Sequence, residues 1–157
     1  MDFRRQTNRK LDDEHRSALS LYGGLEQALV ARDTEGLARL CSLFARHLAE
    51  DIAHHFDFEE RELFPRLAAA GEGDIAELLA EEHAAIRDVA AILLPLAKIG
   101  AAALDARQSE TFRRCALELV ERQVSHIQKE SMALLPMLEE LLDEDVDREL
   151  SFAYSAG

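Results

Sequence analysis

Tryptophan is absent from this chain of 157 residues, cysteine occurs only twice and proline three times, and 18 Lys and Arg are set against 31 Asp and Glu for a net charge of −13. Each shortage excludes something. So acidic a chain repels nucleic-acid phosphates, which are usually held by clustered Lys and Arg, so no nucleic-acid partner is expected. Arg4, Arg5, Arg9 and Lys10 read as a solvated basic lead-in rather than an anion site. Cys41 and Cys115 are too few and too far apart for a disulfide scaffold or a zinc motif. They fall on apolar stripes, Cys41 with Leu37, Leu40 and Phe44 and Cys115 with Phe112 and Leu119, and are expected to be core thiols. No apolar run approaches the ~20 residues that cross a bilayer, and the N-terminus lacks the apolar core of a signal peptide. No membrane segment is expected, and a cytoplasmic location follows by default.

Ala, Leu, Glu and Arg are abundant and β-branched residues few, a balance that favours helix over strand. A chain of this length is one ordinary domain, able to bury roughly 70% of its unfolded surface around a single core. Four stretches carry apolar residues at three- and four-residue spacing. The first runs from about Leu11 to Leu29 and turns Leu11, Ala18, Leu19, Tyr22, Leu25 and Leu29 inward, with Gly23-Gly24 as a weak point. The second starts at an Asp33-Thr34 cap and runs to about Leu63, where Pro65 is expected to end or kink it. After a break at Gly71-Glu72-Gly73, the third takes Asp74 as its cap and carries Ile75, Leu79, Ile86, Ala90 and Leu93 until Pro95 bends or shortens it. The fourth, capped by Ser109, buries Phe112, Leu119, Ile127, Leu134, Leu138 and Leu141 and is interrupted or kinked near Pro136. The expectation is an all-α, up-down-up-down four-helix bundle over about 11–142, within a single domain of residues 1–157. A short acidic C-terminal extension follows, with a short helix near Arg148 to Tyr154.

An internal repeat lies across these helices. Around His55 the sequence reads HFDFEERELFP and around His126 it reads HIQKESMALLP: a histidine, a glutamate four residues on, and a proline six beyond that. Upstream, Asp13-Glu14-His15 precedes the first block and Glu81-Glu82-His83 the second at nearly equal intervals. In an up-down bundle, the starts of helices one and three lie at the same end as the finishes of two and four. His15, His83 and the pairs His55-Glu59 and His126-Glu130 therefore share one level. Positions i and i+4 are about 40° apart around a helix, so each His-Glu pair projects from one face, and that face is the apolar one.

A single histidine on an apolar face is ordinarily a hydrogen-bonded core residue. Four at one level, joined by two glutamates that would each cost several kcal/mol if buried unpaired, call for a cation. A polar network without metal is the alternative. Imidazole with carboxylate suits iron, manganese or zinc, and no cysteine belongs to the set.

On His15, His55, Glu59, His83, His126 and Glu130, in order and spacing, the sequence resembles the hemerythrin-like, or HHE cation-binding, family over about Leu11 to Leu142. The resemblance implies a four-helix bundle around a non-haem centre of two iron ions, with another divalent metal as the alternative and Glu59 and Glu130 as bridges. Oxygen-carrying members place two histidines one turn apart on the third helix. Here His83 has Leu79 one turn before it and Arg87 one turn after. The four-His, two-Glu set looks more like the branch that includes iron-centre repair proteins and iron- or oxygen-responsive domains.

That branch implies a protein that binds or responds to dioxygen, nitric oxide or peroxide, in iron homeostasis or stress repair, as a monomer or homodimer. A metal-dependent regulatory or interaction module is one alternative. A di-iron oxidase or peroxidase is another, although such enzymes usually supply more carboxylates and fewer histidines. Several neighbours fall outside the set. Glu62 reads as a solvated rim residue, with a terminal ligand or an acceptor for an imidazole as its other readings, and Tyr22 reads as a core residue pointing to the far end. His47 and His54 are expected at the surface or its boundary, and Glu14 and Glu82 in solvent. Met132 and Met137 are expected to pack near the site, and Glu139 to Glu149 to form a solvated acidic face.

Overall fold

The computed structural model describes residues 2–157, which form five helices and, among the described residues, no strand. They are α1 (Gln6–Val30), α2 (residues 34–69), α3 (Gly73–Ile99), α4 (residues 106–141) and α5 (Glu144–Ala156). The first four make the expected up-down-up-down bundle, and α5 lies against α1. None of the helices is long and apolar enough to cross a membrane.

Capping follows side-chain chemistry, with two changes from expectation. Asp33 accepts from the Gly36 amide at 3.0 Å as expected. α4 is opened by Asp105, not Ser109: Asp105 and Gln108 form a reciprocal capping box that satisfies two orphan amides, and Ser109 lies inside the helix. Asp74 sits in the first turn of α3 instead of capping it. α1 has no local side-chain cap. Its amides are taken up by the C-terminal segment, with Asp147 accepting from Gln6 at 2.9 Å and Thr7 at 3.0 Å and Glu139 from Arg5 at 2.8 Å. The acidic tail is thus partly structural, and Asp147 is buried rather than solvated.

Neither Pro65 nor Pro136 stops its helix. A proline cannot donate, and its ring collides with the carbonyl four residues back. Each is preceded by one widened π-helical turn, Glu59–Leu63 in α2 and Glu130–Leu134 in α4, closed by Phe64 N–H to the Glu59 carbonyl and Leu135 N–H to the Glu130 carbonyl. The prolines then fall in the first turn of the next α-helical run, where no N–H is needed. Pro95 is likewise carried inside α3, which continues to Ile99 and ends at Gly100, whose φ of 94° suits glycine.

The core has two apolar clusters. One gathers Leu25, Leu29, Phe44, Leu93, Phe112 and Leu119, and the other Leu11, Leu63, Leu67, Leu79, Leu134 and Leu138. Leu19 (37% exposed) and Leu141 are outside them, their inward places taken by Leu21 and Leu142, and Met132 (81% exposed) projects into solvent instead of packing. Cys41 and Cys115 are buried free thiols, as expected. Between the two clusters lies a layer of polar side chains.

Candidate metal centre

That layer is made by all six expected residues, each buried: His15 from α1, His55 and Glu59 from α2, His83 from α3, His126 and Glu130 from α4. Every imidazole turns Nε2 inward. Glu59 spans the layer, with Oε1 3.1 Å from His83 Nε2 and Oε2 3.3 Å from His55 Nε2. Glu130 does the same: Oε1 is 2.8 Å from His15 Nε2 and 3.4 Å from His55 Nε2, and Oε2 is 3.1 Å from His126 Nε2. The donor atoms fall into two groups, Glu59, His83, His126 and Glu130 in one and His15, His55 and Glu130 in the other. The π turns begin at the two glutamates, so the departure from regular helix coincides with the two carboxylates of the layer.

The outer ring nitrogens are held as well. His55 Nδ1 donates to Glu14 at 3.0 Å, His83 Nδ1 to Glu60 at 2.6 Å and His126 Nδ1 to Glu82 at 2.8 Å, while His15 Nδ1 has only the Ser131 hydroxyl at 3.5 Å. Arg87 holds Glu60 at 2.7 Å, Lys129 pairs with Glu82, and the Tyr154 hydroxyl donates to Glu14. Glu14 and Glu82, expected in solvent, therefore orient the site, and Glu60 was not singled out by the sequence at all. The signal was in the repeat. A residue beside a buried one is about 100° around the helix, which in a tight bundle means facing the next helix rather than water.

These contacts test whether a cation fits. An ionised carboxylate can only accept, so it fixes the proton of each partnered imidazole on Nδ1 and leaves a lone pair on Nε2. His83 Nε2 and His126 Nε2 then face each other at 3.1 Å, acceptor to acceptor. Glu59 Oε1, Glu59 Oε2 and Glu130 Oε2 are buried without a hydrogen-bond partner. Acceptors converging with no donor fit a metal cation, and nitrogen with carboxylate oxygen fits iron, manganese or zinc.

Without a metal, protons are the only remaining cations. Burial pushes the His83 imidazole down, but Glu130 and Glu59 outweigh it and carry it up to about 9. Burial is likewise outweighed at His126 by Glu130, and at His55 by Glu59 and Glu130, which hold it well above its usual value. Burial would raise Glu130, yet the surrounding histidines, His126 first, hold it well below the carboxylate range.

A cavity of about 290 Å³ leads to the layer between α1, α2 and α4, past Ala18, Leu21, Leu43 and Ile52 to His15, His55 and Glu130. Along its wall runs a hydrogen-bond chain that the sequence did not disclose, buried at Gln123, Tyr22 and His47 and reaching solvent at Asp51. Gln123 donates to the Tyr22 hydroxyl at 2.8 Å, Tyr22 donates to His47 Nε2 at 2.6 Å, and His47 Nδ1 faces Asp51 at 3.2 Å. His47, expected at the surface or its boundary, is buried. A further π turn, His47–Asp51, adds one residue to the helix and swings His47 onto the face of His55. Burial lowers the His47 pKa despite Asp51, and burial keeps the Tyr22 phenol protonated far above its usual range. His54 is a boundary residue as expected, stacked on Tyr154 with ring centroids 4.5 Å apart. Glu62 stays at the rim against Arg61 and outside both donor groups.

A helical bundle with a buried, donor-poor cluster of four imidazoles and two carboxylates is the framework of a metal-binding protein. The family model of the hemerythrin HHE cation binding domain matches residues 6–138, and the chain belongs to that family. No curated protein and no solved structure matches it.

Proposed function

We propose that the chain carries a non-haem di-iron centre that binds or responds to dioxygen, nitric oxide or peroxide, in iron homeostasis or stress repair. In this reading His15 and His55 would hold one ion and His83 and His126 the other, with Glu59 and Glu130 as the carboxylates that would serve them. The observation that carries it is the set of buried carboxylate oxygens without a hydrogen-bond donor, each 3.1–3.3 Å from the Nε2 of an inward-facing imidazole. Iron there would supply reversible one-electron chemistry and affinity for diatomic ligands. The chain supplies orientation through the Nδ1 partners, and Phe56, stacked on His83 at 3.7 Å, helps keep water from the deep side. The cavity gives a small ligand a route to His15 and His55. Four histidines with two carboxylates favour binding or response over oxidase turnover.

Elemental analysis of untagged protein tests the reading. About two irons per chain are expected, lost in the Glu59→Ala, Glu130→Ala double variant. Wild-type protein that refuses iron on reconstitution would reduce the six residues to a polar core network.

One contact favours a second reading, a metal-dependent interaction module. His55 Nδ1, Glu14 and Tyr154 form a continuous link from the site to α5. On this reading metal removal frees α5 to proteases, and an unchanged cleavage pattern rules it out.

A further inference from the structure

The repeat that builds the site is broken at one place. Glu14 and Glu82, each just ahead of a histidine, hold His55 and His126, and Glu60, just after Glu59, holds His83. The residue that follows Glu130 is Ser131, whose hydroxyl only approaches His15 Nδ1, at 3.5 Å. The pair His83 and His126 thus has a carboxylate behind both rings, each paired with a neighbouring cation, Arg87 with Glu60 and Lys129 with Glu82. The pair His15 and His55 has one carboxylate, shared with the Tyr154 hydroxyl.

Two independent features point the same way. The first donor group brings four residues together, the second only three. The cavity is lined by both His15 and His55 but, of the other pair, by His126 alone; the His55 side chain is 11% exposed and that of His83 0%. A carboxylate behind an imidazole fixes its orientation and raises the basicity of the metal-facing nitrogen, and losing such a partner typically weakens metal binding roughly 10–100-fold.

We infer that the two metal positions are unequal: the one between His83 and His126 fills first and holds its ion, the one between His15 and His55 exchanges its ion, and Ser131 sets the difference. The inference rests on the two-metal reading above. It makes the position between His15 and His55, which the cavity reaches, the one that can pass an ion on.

The experiment loads the full chain with ferrous iron without oxygen, confirms two ions per chain, and follows release to an excess of a ferrous chelator. Two phases of equal amplitude are expected, with rates roughly 10–100-fold apart. Ser131→Glu, which supplies the missing carboxylate, is expected to slow the fast phase, and Glu82→Gln to quicken the slow phase alone. Release of both ions in one phase, or a fast phase untouched by Ser131→Glu, overturns the inference while leaving the two-iron reading intact. Fewer than two ions at saturation overturns both. If Ser131→Glu does not fold, crystals of wild-type protein given one equivalent of iron decide: anomalous density between His83 and His126 supports the inference, and equal or reversed occupancy overturns it.

Discussion

The Tyr22 hydroxyl donates to His47 Nε2 at 2.6 Å, and because His47 Nδ1 faces the Asp51 carboxylate, the hydrogen-bond chain beside the histidine-glutamate layer has a fixed direction. Tyr22→Phe leaves a buried imidazole nitrogen without its donor and the Gln123 amide without its acceptor. The expected cost is about 1–3 kcal/mol. Urea unfolding measures it, and iron per chain should not change, since Tyr22 belongs to neither donor group. Parallel loss of iron would place Tyr22 in the site itself.

The pH dependence of metal-free protein follows from His83 and Glu130. His83 is carried up to about 9 in the folded chain, so its contribution to stability is complete below its unfolded value of about 6.5 and is lost as pH rises through about 9. Glu130 is held well below its ordinary value, so its contribution is present above about pH 4.5 and is lost on acidification. Metal competes with the protons that these histidines hold. The rise in melting temperature on loading with iron should therefore widen from about pH 6 to about pH 9. Calorimetry of loaded and metal-free protein checks this, and a gap that narrows over that range contradicts it.

The bundle and the six inward residues were legible because helical period and metal-ligand chemistry coincide at His15, His55, Glu59, His83, His126 and Glu130. The repeat placed them at one level before any packing was known. What was hidden depended on tertiary contact or on a change of period. His47 reaches the cavity wall because a π turn shifts its phase, and Pro65 and Pro136 pass inside helices for the same reason. Glu14, Glu60 and Glu82 look solvated on an isolated helix and become partners of a histidine only when the next helix arrives. The cap of α1 could not be found nearby in sequence, because it comes from Asp147.

That long-range cap makes its own prediction. Asp147→Ala removes the acceptor of two α1 amides, and an N-cap of this kind is worth about 1 kcal/mol, ranging to about 2. The loss should concentrate at the junction of α1 and α5, where hydrogen exchange of Gln6 and Thr7 should speed up before the bundle opens globally. Uniform acceleration along all five helices would mean that α5 is integral to the cooperative core, not a fastened addition.

The cavity yields the last prediction. Ala18 lines its wall, between the surface and His15, but supplies no donor atom to the cluster. In Ala18→Phe the ring extends into space now open, so iron per chain should match wild type while the approach to His15 and His55 narrows. Azide is a suitable probe, being small, anionic and coloured when bound to ferric centres. Its association with the oxidised, iron-loaded variant should slow severalfold in stopped-flow absorbance, with the amplitude retained at saturation. Unchanged association with full iron content would mean that ligands reach the centre by another route.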